Sequence, residues 1–244
     1  IIADKHYLFF NEKNIANLDW KKHNIDYVIE STGKYKTFDE INAHILAGAK
    51  KVILSAPAEV EQIKTVVLGV NEHILDGTET IISNASCTTN NAAPMIQIID
   101  ELCGIEQAYI TTIHSYTTDQ SLHDQPHKDL RRARGASQSI VPTTTGAAKA
   151  LTKIFPKLEG KIGGCGIRVP VPDGSLTDIT FNVKRAVSIE EINKAFKNAS
   201  QKELKGILDY TEDPIVSVDI LGNTNSCLFD GQLTSVIDKM VKVV

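Results

Sequence analysis

Four short apolar runs constrain the fold of this chain more than any other feature: D-Y-V-I-E at residues 26–30, K-V-I-L-S at 51–55, T-V-V-L-G-V at 65–70 and T-I-I-S at 80–83. Each has strand length, and none shows the strict alternation of a strand with one wet face, so each asks for cover on both sides. Between the first two lies T-F-D-E-I-N-A-H-I-L-A-G, residues 37–48, a helix with a capping box of Thr37 and Glu40 at its start and Gly48 at its end. Strand, helix and strand in that order predict a mostly parallel sheet of the α/β class. A sheet that began near Asp26 would leave an apolar edge bare unless further strands preceded it. A further strand is expected at residues 7–10.

The chemistry gathers at residues 83–102, S-N-A-S-C-T-T-N-N-A-A-P-M-I-Q-I-I-D-E-L, where a strand ends, a cysteine stands among hydroxyl residues and a helix begins. Met95, Ile96, Ile98, Ile99 and Leu102 recur at steps of three and four, one apolar helical face. Pro94 lacks an N–H and is expected near the start of that helix, which places Cys87 at or just before the N-terminus. The positive end of a helix dipole lowers a thiol pKa, so a thiolate nucleophile is expected. The competing reading is a small buried cysteine, the commoner fate of free cysteines. Downstream, residues 108–113 read as a strand with His114 at its carboxyl end, where α/β proteins place reactive groups. Cysteine and histidine can meet there as nucleophile and base; a strand-end histidine is otherwise a structural residue.

The rest of the chain reads as a sheet with helices. Residues 115–141 form a long connection whose basic cluster, Lys128, Arg131, Arg132 and Arg134, is either a solvated face or a phosphate site. P-T-T-T-G-A-A-K-A-L from Pro142 is a turn followed by a helix, with Thr145 and Gly146 offering donors at its start. Residues 162–169 end in I-R-V-P and put Arg168 at a strand end. Residues 175–184 alternate, with Ile179, Phe181 and Val183 on one face, which marks a half-buried strand of an antiparallel or mixed sheet. A second capping box, Ser188 with Glu191, starts a helix, and strands are expected at 206–210, 215–219, 226–229, 235–237 and 240–244.

The net charge of −4 points away from nucleic acid and from anionic membranes. Four cysteines, Cys87, Cys103, Cys165 and Cys227, show no C-x-x-C pair and no secreted framework, which fits a cytoplasmic protein.

S-N-A-S-C-T-T-N, then H-S-Y-T, L-R-R-A-R, P-T-T-T-G-A-A-K-A and I-R-V-P, in this order, resemble the phosphorylating glyceraldehyde-3-phosphate dehydrogenases over nearly the whole chain. The resemblance implies a partial Rossmann-type parallel sheet over residues 1–86, followed by an α+β catalytic domain with a mixed sheet over 87–244. It further implies NAD-dependent oxidation of glyceraldehyde 3-phosphate with inorganic phosphate. NADP is not excluded, although Pro126 after Gln125 is like NAD-using members. By resemblance Cys87 is the nucleophile and His114 its activator, with the Cys87 backbone N–H and the His114 ring around the oxyanion. Ser86, Thr88, Thr117, Arg132, Thr145, Gly146 and Arg168 hold substrate and phosphate, Thr117 working with Arg168 and Arg132 with Thr145 and Gly146. Ser31, Thr32, Gly33 and Ser55, in S-T-G and S-A-P, border the cofactor; taken alone they are ordinary turn residues. A homotetramer is implied, and no metal. The chain departs from the family at Asn91, where a second cysteine is usual, and at Tyr35, where phenylalanine is commoner. It has no G-x-G-x-x-G fingerprint, no ribose-binding acid after it and no closing helix, so it reads as a fragment. The alternatives are an erythrose-4-phosphate dehydrogenase and a truncated, non-catalytic binding form.

Overall fold

A computed structural model describes residues 3–244, which fall into two compact units. The first runs up to Val66 and resumes over His73–Ala85; the second takes Val67–Glu72 and Ser86–Val244.

In the first unit β1 (Tyr27–Glu30), α1 (Phe38–Leu46), β2 (Lys51–Leu54), β3 (Lys64–Thr65) and β4 (Ile81–Ser83) build a wholly parallel sheet in the order β1-β2-β4-β3. The capping box forms as expected, with Thr37 accepting from Glu40 N–H and Glu40 accepting from Thr37 N–H. Gly48 follows the helix at φ +107, where a side chain would collide with Lys21. Ile41 of α1 packs against Val52, Leu54, Ala58, Ile63 and Ile81, so one face of the sheet is dry. The edge strand β1 leaves Tyr27 and Ile29 exposed on the other face.

Of the expected strands, one is absent here and one is cut short. Residues 7–10 join no ladder, and Tyr7, Leu8, Phe9 and Phe10 are exposed. The run at 65–70 pairs only at its start. Beyond Val66 the chain turns, because Asn71 Oδ1 accepts from Val67 N–H at 2.7 Å and Gly69 takes φ +80. Apolar content predicted burial correctly at Val66 and Val67, but the turn residues decided the backbone.

The second unit contains α2 (Cys87–Cys103), β5 (Ile105–Ser115), β6 (Val141–Thr143), α3 (Ala147–Ile154), β7 (Ile162–Val169), β8 (Leu176–Val183), α4 (Ile189–Gln201), β9 (Leu208–Thr211), β10 (Cys227–Asp230), β11 (Ser235–Ile237) and β12 (Met240–Val243). Six strands form a mixed sheet in the order β11-β12-β8-β5-β7-β6, in which only β5 and β7 run parallel; β9 and β10 pair separately. Alternation puts Ala108, Ile110 and Thr112 of β5 and Ile179, Phe181 and Val183 of β8 on the face buried beneath the helices. Phe196 of α4 stacks on Phe229 of β10 with ring centroids 3.7 Å apart.

Pro94 lies well inside α2 rather than near its start. It forfeits one helical hydrogen bond, yet Ala92, Ala93, Met95 and Ile96 around it are fully buried, and their burial outweighs the loss. Residues 215–219 form a turn instead of a strand. Asp219 accepts from Val216 N–H at 2.7 Å and thereby closes it.

Phe196 is fully buried. Phe196→Ala is expected to destabilise the second unit by about 3–5 kcal/mol, read from the denaturant midpoint. A loss below about 1 kcal/mol would show that the Phe196–Phe229 stack does not anchor α4.

Candidate active site

Cys87 is the first residue of α2, and Ser86 is its N-cap, accepting from Thr89 N–H at 3.2 Å. Ala85, immediately before, holds a left-handed φ of 56°, an uncommon conformation for a residue with a side chain. This local geometry presents the thiol at the helix N-terminus, exposed to solvent.

The partner arrives from β5. The alternation that buries Ile110 and Thr112 puts His114 on the same face, and its Nε2 lies 3.4 Å from Cys87 Sγ. Parallel register sets Arg168 of β7 directly beside His114. Arg168 Nη1 lies 2.6 Å from His114 Nδ1 and donates to Ser115 O at 2.8 Å, while Ser115 O is also 2.8 Å from Nδ1. Cysteine, histidine and arginine thus form a contiguous row.

The titrations of the pair move together. His114 lowers the thiol pKa of Cys87, opposed by burial and assisted by hydrogen bonds from Thr88. Cys87 raises the pKa of His114, against burial and the Arg168 charge. Both shifts favour transfer of the thiol proton toward the imidazole. Burial pushes the other thiols the opposite way, Cys103 upward and Cys227 up to about 12.

On the far side of Arg168 stands a residue missed in the sequence, Asp119. It accepts from Thr117 Oγ1 and pairs with Arg132 Nη1. Burial raises its pKa, but Thr117, Arg132 and Arg168 more than reverse this and keep it ionised. Its signal was the spacing T-x-D from Thr117, too short a pattern to single out. The basic cluster splits: Arg132 turns inward to Asp119, Asp129 and Thr143, while Arg134 pairs with Asp124 on the surface. Arg132 reaches Thr143 Oγ1 at 2.9 Å, in β6, ahead of Thr145 and Gly146. Thr145 Oγ1 accepts from Ala147 N–H at 3.2 Å, and Gly146 is the N-cap of α3, with open space where a side chain would be.

Cys87, Thr88, Asn91 and His114 line a cleft of about 540 Å³ together with apolar residues that include Ile220 and Leu221. Asn91, one turn after the thiol, has a buried Oδ1 without a hydrogen-bond partner. Ile215 and Val216, expected at the start of a strand over 215–219, line the cleft from a turn instead.

In the first unit Ser31, Thr32 and Gly33 follow β1 and Ser55 follows β2, all four exposed beyond the carboxyl ends of parallel strands. Gly33, at φ +70, has open space around it. These positions fit a dinucleotide lying across the strand ends. Thr32, however, is committed to the turn. Its N–H and hydroxyl donate to Glu30 Oε1, and its hydroxyl accepts from Lys34 N–H. Glu30 is in turn held by buried His44, whose Nδ1 accepts from Trp20 Nε1 at 3.1 Å. Ser31, Gly33 and Ser55 are the groups left to meet a ligand. Among the described residues no group of His, Cys, Asp and Glu is arranged to hold a metal ion.

A parallel-sheet unit, a mixed-sheet unit and a thiol–imidazole pair at a helix start are in keeping with an oxidoreductase of the α/β class, and the comparisons with known proteins give that class. Residues 86–244 match the family model described as glyceraldehyde 3-phosphate dehydrogenase, C-terminal domain. The chain is 54% identical to glyceraldehyde-3-phosphate dehydrogenase 2 of Streptomyces avermitilis over 94% of its length and 68% of the relative's. It is 54% identical to the Mycobacterium avium glyceraldehyde-3-phosphate dehydrogenase over 94% of its length and 67% of that protein. It is 49% identical to glyceraldehyde-3-phosphate dehydrogenase 2 of Bacillus subtilis over all of its length and 72% of that relative. The chain belongs to the glyceraldehyde-3-phosphate dehydrogenase family.

Cys87 is expected to be the one cysteine alkylated rapidly at neutral pH, identified by mass after brief iodoacetamide treatment. Labelling should fall as pH drops through its lowered pKa. His114→Asn should move that profile to higher pH, each unit of thiol pKa regained cutting the thiolate fraction about tenfold. Faster labelling of Cys103, Cys165 or Cys227 would refute the assignment.

Proposed function

We propose that this protein oxidises D-glyceraldehyde 3-phosphate to 1,3-bisphosphoglycerate with NAD and inorganic phosphate, in glycolysis and gluconeogenesis. The observation that carries the reading is the 3.4 Å contact between Cys87 Sγ and His114 Nε2 at the start of α2. Cys87 thiolate attacks the aldehyde carbon and gives a thiohemiacetal. His114 Nε2 takes the hydroxyl proton as the C–H bond breaks. NAD supplies the hydride acceptor when bound, and Ser31, Gly33 and Ser55 border it. The resulting thioester is cleaved by inorganic phosphate, whose oxygen bonds to the acyl carbon while the thiolate of Cys87 leaves.

The Cys87 backbone N–H at the helix start and the His114 ring stabilise the negative oxygen of the tetrahedral species. Arg168, Thr117 and Arg132 receive the substrate's phosphate ester, with Asp119 setting the charge of that cluster. Ser86 and Thr88 flank the thiol, and Thr145 and Gly146 offer donors at the start of α3 for the second anion. Arg168 has a burial-lowered pKa but remains a cation, and a planar guanidinium suits a phosphate oxygen pair.

A cytoplasmic homotetramer belongs to the same reading. Tyr109, Leu176, Ile237 and Met240 lie exposed on the sheet face opposite the helices, and Leu122, Leu130 and Ile140 are exposed in the loop after β5, apolar surface suited to subunit contact. No helix among the described residues is long and apolar enough to cross a membrane.

Incubation with D-glyceraldehyde 3-phosphate and NAD, without inorganic phosphate, should leave an acyl group on Cys87 that phosphate then releases. An acyl group on another cysteine, or none, would refute the mechanism. Arg168→Ala and Arg132→Ala should each weaken phosphate-bearing ligands by about 1.5–3 kcal/mol, measured as KM and inhibitor affinity. Unchanged kinetics in both would return the cluster to a solvated surface.

A further inference from the structure

Two carboxylates reach Arg132, and they are held in different ways. Asp129 is built into the loop. Its Oδ1 accepts from Arg131 N–H at 2.9 Å and from Arg132 N–H at 3.4 Å, and its Oδ2 accepts from Thr143 Oγ1 at 3.4 Å and lies 3.5 Å from Arg132 Nε. Asp119 has no such anchorage. Among the described residues its carboxylate is hydrogen-bonded only to the Thr117 hydroxyl, through Oδ1, and to Arg132 Nη1, through Oδ2. It stands in a turn closed by Gln120 N–H donating to Thr117 O at 2.9 Å, so the backbone is fixed without the side chain. The side chain is 37% exposed, and rotation about its Cα–Cβ bond carries the carboxylate into solvent.

Thr117 and Arg132 are donors to the substrate's phosphate in the proposed mechanism. A carboxylate bridging a hydroxyl and a guanidinium presents two oxygens to them much as one edge of a phosphate would. Burial raises the pKa of Asp119, but Thr117, Arg132 and Arg168 outweigh it, so the bridging group is an anion. A hydroxyl donates once, so Thr117 cannot serve a phosphate while Asp119 holds its proton. A second anion against the carboxylate would also be repelled.

We infer that Asp119 is a gating residue, which occupies the donors Thr117 and Arg132 in the empty site and must swing out to solvent before an anion binds there. The inference rests on the reading of Thr117, Arg132 and Arg168 as anion donors. Such a gate lowers the affinity of every anion by the same factor, because opening it costs the same whichever ligand follows. A loosely held anion is thereby excluded, while a ligand with further contacts, such as an aldehyde engaged by Cys87, still opens the site. After the exchange Arg132 keeps its contacts with Thr143 and Asp129, which leave its guanidinium oriented for the ligand.

The test compares methyl phosphate, a dianion at about pH 8, with methyl sulfate, a monoanion of the same shape. Dissociation constants are measured by NMR titration of the wild-type chain, Asp119→Asn and Arg132→Ala at one ionic strength. Asp119→Asn should tighten both ligands by one common factor, about three- to fivefold for a partly exposed ion pair, and Arg132→Ala should weaken both. A carboxylate that stays beside the bound anion acts in proportion to ligand charge, so its removal would tighten methyl phosphate by about the square of the factor for methyl sulfate. That result would overturn the gate. So would an unchanged affinity, or a loss showing that Asp119 orients Arg132. In crystals soaked with methyl phosphate, Asp119 should be turned away from Thr117 and Arg132; a carboxylate still bridging them beside the ligand counts equally against the gate. Binding that Arg132→Ala abolishes and Asp119→Asn leaves alone defeats the gate and upholds the anion site, whereas no binding to wild type or to Asp119→Asn defeats both.

Discussion

The parallel pairing of β5 with β7 is the constraint on which the site depends. Its register runs unbroken from Ala108 opposite Ile162 to Ser115 opposite Val169, and so places His114 beside Arg168 on one face. A slip of one residue would turn Arg168 to the opposite face of the sheet and leave the histidine without its neighbour. The register is held in place by burial, because the same alternation puts Ile110 beneath the helices, fully removed from water. Core packing and site assembly are therefore one requirement.

Helix α2 meets this row end-on. Its N-terminus supplies the thiol and the N–H groups around it, and its body supplies the hydrophobic anchor, with Ala92, Met95, Ile96 and Ile99 buried. A frayed helix start would cost the thiol both its dipole and its distance to His114. The Ser86 cap and the buried segment that follows resist that fraying even though Pro94 interrupts the hydrogen-bond ladder.

Polar groups in both units are arranged in relays. In the first unit half-buried Trp20 and buried His44 and Glu30 form a chain that ends on the Thr32 turn, so that turn is shaped by protein groups. In the second, Cys87, His114 and Arg168 form a chain that begins at solvent, followed by the Asp119 cluster. Donor and acceptor roles in the first relay are settled by its own members: Trp20 can only donate, which leaves the His44 proton for Glu30. In the second, His114 Nδ1 meets both Arg168 Nη1 and the Ser115 carbonyl oxygen.

The sequence by itself determined the features that rest on neighbouring residues. Both capping boxes, the strands read at 26–30, 51–55 and 80–83, the face of β8 carrying Phe181, and Cys87 at a helix start were all legible there, because caps and alternation are local physics. The same locality explains the misreadings. Apolar runs at 65–70 and 215–219 promised strands, but the Asn71 and Asp219 side chains closed turns. Pro94 was placed by its own propensity, while the structure placed it by the burial of its neighbours. Only the tertiary structure decided that His114 stands between Cys87 and Arg168 and that Asp119 joins the arginines. Those facts depend on pairings across 27 and 54 residues, and strand register over such separations is set by the packing of the whole sheet rather than by any local signal.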